Sequence, residues 1–225
     1  MNLKVIQRSD TKELINLIKL DEPVIVIKNF ENEDELNNIR KSLHNHTKEI
    51  PYRLGDQFSE TFVQMDVLPS KVQTHRIFRT FFFSKDDGSN IFSLTRPIFQ
   101  KLKSFHNQYL AYEDFSPNQY SILEQVIHYP KGGGFFDWHV HTRFPVNYGV
   151  ILLLAKKDRD FKVGQTEIKV NNDIIKIDDF ADIGDLALFR FDLEHRVAPC
   201  DPREDLTFSD NGRWTAVLSF QKYPS

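Results

Sequence analysis

Tyr129-Pro130-Lys131-Gly132-Gly133-Gly134-Phe135-Phe136-Asp137-Trp138-His139-Val140-His141 is the stretch on which the reading of this chain turns. It spells a turn, three glycines and a short strand in which Asp137, His139 and His141 recur at every second residue. Residues i, i+2 and i+4 of a strand share one face. A strand here therefore points one carboxylate and two imidazoles the same way, which is half of a metal site. His195, far along the chain, is the candidate for the other half. An H-x-H pair alone is commonplace on protein surfaces, so the weight falls on the third histidine and on what surrounds these residues.

Working outward, the chain from Asn118 onward is a series of short strand-like runs separated by turns. They are Tyr120–Tyr129, Phe135–His141, Tyr148–Ala155, Phe161–Val170, Ile174–Ile177, Leu186–Phe191, Arg196–Cys200 and Trp214–Tyr223, with Asn171-Asn172 as a hairpin turn. About eight short strands without intervening helices point to a two-sheet jelly roll. Before them, Asp10 and Glu13 mark a helix start ahead of Leu14, Leu17 and Ile18, and Val24–Ile27 reads as a buried strand. A second helix starts at Asn32 or Asp34 and carries Leu36, Ile39 and Leu43; a strand covers Ile77–Phe83. A third helix shows Ile98, Leu102, Phe105 and Tyr109 on one stripe, with Pro97 near its first turn. The fold class is thus α+β. Residues 1–225 form a single domain: an N-terminal helical and strand part (1–117) packed against a β-helix core (118–225) that carries the metal site.

Composition bounds the function. A chain of 225 residues, 40% hydrophobic with 20 phenylalanines, can bury a good core. Its net charge of −3 gives no reason to expect nucleic acid or an anionic membrane as main partner. Cys200 is the single cysteine, which excludes an internal disulfide and fits a reducing compartment. The N-terminus lacks the apolar segment of a signal peptide, and Val150–Ala155 is too short to span a bilayer. The expectation is a soluble, cytoplasmic protein, with nothing to fix its oligomeric state.

Arg213 and Thr215, opening the last strand, share a face, and a guanidinium beside a hydroxyl suits bidentate grip of a carboxylate. The C-terminal half resembles the double-stranded β-helix of the iron(II)/2-oxoglutarate-dependent oxygenases. That family carries H-x-D on an early core strand, a distal histidine, and R-x-S or R-x-T on the last strand. Tyr129, the three glycines and His139 fall in the family's order. Gly164-Gln165-Thr166-Glu167 is similar to its Gly-Gly-Glu-Thr strand, and Gly184–Phe189 followed by His195-Arg196-Val197 to the segment entering its distal histidine. The departure is at the metal: His141 stands where the family has its acid. Three histidines, or two with Asp137 turned in, are both open readings.

The resemblance implies iron(II), 2-oxoglutarate and dioxygen, with hydroxylation of a C–H bond of a small molecule and release of succinate and carbon dioxide. His139, His141 and His195 would hold the metal, with Asp137 as the alternative ligand, and no catalytic residue is needed beyond that centre. Arg213 and Thr215 would hold the far carboxylate of 2-oxoglutarate, helped by Tyr129. Arg143, Asn147 and Tyr148, just past the metal strand, are candidates for substrate contact. Two other readings remain: a three-histidine dioxygenase of cupin type that dispenses with 2-oxoglutarate and leaves Arg213 without a role, and a non-catalytic binding domain on the same scaffold.

Overall fold

A computed structural model describes residues 3–46, 62–67, 76–83, 90–111, 120–144 and 146–222. The chain runs β1 (Lys4–Gln7), α1 (Thr11–Lys19), β2 (Val24–Lys28), α2 (Glu33–His46), β3 (Phe62–Val67), β4 (Arg76–Phe82) and α3 (Asn90–Phe105). A π-helical turn, His106–Leu110, follows. Then come β5 (Tyr120–Tyr129), β6 (Gly134–His139), β7 (Tyr148–Leu153), β8 (Thr166–Val170), β9 (Asp173–Lys176), the 3₁₀ turn Ile177–Asp179, β10 (Leu186–Arg190), β11 (His195–Cys200) and β12 (Arg213–Lys222).

The helices form where capping and stripe agree. Asn32 Oδ1 accepts the amides of Asp34 (2.8 Å) and Glu35 (3.2 Å) at the start of α2. Leu36, Ile39 and Leu43 then recur on the buried side. α3 begins well before the sequence suggests, so Pro97 lies inside it rather than in its first turn. The apolar stripe explains this: it extends back through Thr95 to Ile91, both buried. β1 and β3 are strands that the sequence reading does not predict.

The strands are ordered β1-β2-β10-β7-β12-β5-β4-β6-β11-β8-β9, with β3 paired to β4. Period-2 alternation splits the core in two. Ile25, Ile27, Leu152, Leu186 and Leu188 join a cluster with the helix residues Leu17, Leu36, Ile39 and Leu102. Their neighbours Val24, Val26, Ile151, Ala187 and Phe189 face the other way, onto Ile168, Val170 and Ile177. The sheet around β2, β10 and β7 therefore has helices on its outer face and the opposed strands on its inner face, a helix-backed jelly roll.

The β8–β9 hairpin turns on Asn171-Asn172 as expected, with Asn171 in the left-handed region at φ +56°. The run from Phe161 shortens to Thr166–Val170, because the Asp201 carboxylate takes the amides of Lys162 (3.0 Å) and Val163 (2.9 Å) that a ladder would need. Strand β6 stops at His139, so His141 lies two residues past its end. Tyr223, the end of the last expected strand, lies outside the described residues.

Candidate metal centre

The glycine run sets the entry to β6. Gly132 sits at φ +84°, and a Cβ there would lie 2.3 Å from the Leu206 backbone nitrogen. Only glycine combines that dihedral with so close an approach. Its neighbour Gly133 donates its amide to Cys200 O (2.8 Å), which ties the start of β6 to the end of β11. The ladder then pairs His139 with His195 across the two strands. His141 joins them from the loop, held where its amide donates to Phe191 O at 3.0 Å.

One nitrogen from each of His139, His141 and His195 lies within 4.8 Å of the others. The Asp137 carboxylate is not in that group; its Oδ1 accepts the Trp138 amide at 2.8 Å. Two imidazoles are set in one tautomer by backbone. His139 Nδ1 faces Asp137 O at 2.7 Å and His195 Nδ1 faces Leu193 O at 2.8 Å. A ring nitrogen facing a carbonyl must be the N–H, so Nε2 carries the lone pair, as metal-ligating histidines require. Burial holds the His195 pKa down to about 3, and the neighbouring His139 imidazole adds to it, since two adjacent rings cannot readily both carry a proton charge. Desolvation and His139 likewise lower His141 to about 4. His141 is exposed as a residue, yet its ring packs on Phe191 at 4.6 Å between centroids. These two imidazoles are therefore neutral near pH 7 and ready to ligate. The donor set fits a first-row divalent ion such as iron(II).

The histidines open onto a cavity of about 340 Å³ whose wall is largely apolar. Phe136 packs on His139 (4.0 Å) and Phe189 on His195 (4.5 Å). Gly149 makes room for this: a Cβ there would lie 2.4 Å from Phe191 Cε2 and 2.6 Å from Phe189 Cζ. The signal for Gly149 was in the sequence, a glycine inside a β-branched strand, which often marks a close approach.

The other expected site residues fall in different places. Tyr129 is in the cavity wall. Arg213 and Thr215 are not among the residues lining it; both are buried, and Arg213 Nε and Nη2 donate to Asp178 Oδ1 (3.1 Å) and Oδ2 (3.3 Å). Arg143, Asn147 and Tyr148 are also outside the wall. Arg143 donates to Asn147 Oδ1 and pairs with Asp21, which Arg190 also reaches at 3.2 Å. Tyr148 is fully buried and donates its hydroxyl to Glu22 O at 2.9 Å. These three side chains brace the loop after His141 against the α1–β2 connection instead of facing the cavity. Asp178 was not anticipated as a site residue. It follows an isoleucine run and looks like an ordinary turn acid in the sequence.

No protein-family model matches this chain, and no curated protein does. Solved structures do. A prolyl hydroxylase from Trichoplax adhaerens, in complex with a hypoxia inducible factor oxygen degradation domain peptide fragment, aligns at TM-score 0.61 and 15% identity, covering 94% of this chain and 89% of the other. A Pseudomonas putida prolyl-4-hydroxylase gives 0.58 at 13% identity, with 94% and 98% covered. A 2OG-Fe(II) oxygenase-family oxidoreductase from Burkholderia pseudomallei gives 0.57 at 10%, with 96% and 92% covered.

The chain has the iron(II)/2-oxoglutarate oxygenase fold. At such identities the likeness speaks for fold alone. No helix among the described residues is long and apolar enough to cross a membrane.

Proposed function

We propose that this chain is a non-haem iron(II) oxygenase that works from a three-histidine centre and oxidises a largely apolar small molecule, by C–H hydroxylation where a 2-oxo acid co-substrate supplies the two reducing electrons and by insertion of both oxygen atoms into the substrate where none does. The observation that carries the reading is the convergence of His139, His141 and His195 at an apolar cavity. The scaffold supports it, since solved structures of this fold bear oxygenase names. Iron would supply the activation of dioxygen. The residues of the chain do the rest: two imidazoles are held neutral and one tautomer is set by Leu193 O, while Phe136, Phe189 and Phe191 crowd water from the metal face. A cavity of about 340 Å³ is at the small end of ligand sites. A peptide side chain reaching in is the macromolecular version of the same substrate, as the peptide complex of one neighbour illustrates.

The 2-oxoglutarate part of the expectation meets a misfit. An arginine whose Nε and Nη2 are already given to a buried internal carboxylate does not offer a second carboxylate the expected grip. We therefore assign Arg213 and Thr215 no step. The same observation favours the second reading, oxidation of an organic ligand without 2-oxoglutarate.

The test is incubation of iron-loaded protein with ¹⁸O₂ and a small-molecule extract, with mass spectrometry of the products. The reading predicts ¹⁸O in one or a few small molecules and none with His195→Ala. Iron bound without any incorporation would leave a non-catalytic binding domain.

A further inference from the structure

We propose that Asp178 is a built-in counter-carboxylate for Arg213, so that the cavity selects a metal-chelating organic acid whose remote end is uncharged and hydrogen-bonds Thr166. The proposal rests on the reading of the three histidines as the metal centre. The pair is enclosed: the side chains of Arg213 and Asp178 are 1% and 2% exposed. Asp178 is also fixed from a second side, since its Oδ2 accepts the Thr166 amide at 2.9 Å. The pair thus stands directly behind a residue that lines the cavity. Thr166 itself is 1% exposed, and its hydroxyl has no hydrogen-bond partner among the described residues. A buried hydroxyl left unmatched costs free energy that a ligand hydrogen bond would recover.

The rest of the wall offers a remote carboxylate little positive charge. Apart from the histidines, Arg196 is the one cation among the described lining residues. Its Nε donates to Glu167 Oε2 at 2.7 Å and its guanidinium lies over the Trp138 ring at 4.6 Å. Burying a second anion beside the Asp178 carboxylate would add repulsion without a free counter-charge. A set of three histidines contains no carboxylate, so the charge of a divalent ion is unmet at the near end, which favours an anionic chelating head there. The arrangement therefore asks for charge at the metal and none at the far end.

The experiment is anaerobic titration of the full chain with iron(II), then with 2-oxoglutarate and with its far-end methyl ester, read by calorimetry and by the visible band of a chelate. The ester is expected to bind at least about tenfold tighter than 2-oxoglutarate to the wild type, about 1.4 kcal/mol. Thr166→Val should remove most of that advantage with iron affinity unchanged, and Asp178→Asn should raise 2-oxoglutarate affinity about tenfold or more by releasing Arg213. Equal or tighter binding of 2-oxoglutarate by the wild type overturns the proposal, whether or not the Asp178 variant folds. Unchanged 2-oxoglutarate affinity in a folded Asp178→Asn does the same. Absence of iron binding, by contrast, overturns the metal centre itself and the proposal with it.

Discussion

Gly149→Ala is a single added methyl whose effect can be worked from the structure. The new Cβ would fall 2.4 Å from Phe191 Cε2 and 2.6 Å from Phe189 Cζ. Ordinary carbon contacts begin near 3.5 Å, so both rings must retreat by about 1 Å. Phe189 cannot retreat outward, because it is 2% exposed and packed on His195. Phe191 is packed on His141. The strain therefore passes into the two imidazoles. Overpacking of this kind costs about 1–3 kcal/mol in stability. Disturbing the groups that orient metal ligands lowers metal affinity about 10–100-fold. Urea denaturation and anaerobic iron(II) titration read the two effects separately. Phe191→Leu added to Gly149→Ala frees space and should return most of the lost stability. A Gly149→Ala protein with wild-type stability and wild-type iron affinity would refute the claim that this glycine shapes the centre.

Other perturbations have equally definite outcomes. Asp137→Ala should leave iron affinity within about threefold while His141→Ala weakens it more than about tenfold by titration, because Asp137 is outside the converging group. Arg213→Ala strands the buried Asp178 charge and should cost about 3–5 kcal/mol in urea unfolding, whereas Arg213→Met with Asp178→Leu should cost far less. Acid should destabilise the metal-free protein in a defined window. The His195 pKa is about 3 in the folded chain against an ordinary value of 6.5, so between those values the unfolded chain binds more protons. Stability contributed by this group is full above pH 6.5 and is lost as pH falls towards 3, at up to about 1.4 kcal/mol per unit. Urea midpoints at several pH values should show that slope, and His195→Gln should reduce it, leaving the share of the other histidines whose pKa is lowered, His141 and His128.

Much of this site was legible because period-2 alternation is a local property. Tyr120–Tyr129 was read with its exact bounds, and the His139/His195 convergence followed from a histidine on each of two strands. His141 was placed on the strand face but reaches the centre from beyond the strand end, through its amide bond to Phe191 O. What stayed illegible is what depends on packing between distant segments. Nothing in Ile177-Asp178-Asp179 tells that Asp178 will meet Arg213 across 35 positions. The burial of Tyr148 likewise depends on a carbonyl at Glu22, in the other half of the chain. Arginine and threonine on one strand face look the same in sequence whether the face meets a cavity or a buried acid.

The most direct measurement is the stoichiometry of iron(II) binding by anaerobic calorimetry, on the wild type and on His139→Ala, His141→Ala and His195→Ala. A three-histidine centre predicts one ion per chain and a loss of more than about tenfold in affinity for each variant, with folding retained by circular dichroism. Binding that survives all three substitutions, or no binding by the wild type, would contradict it.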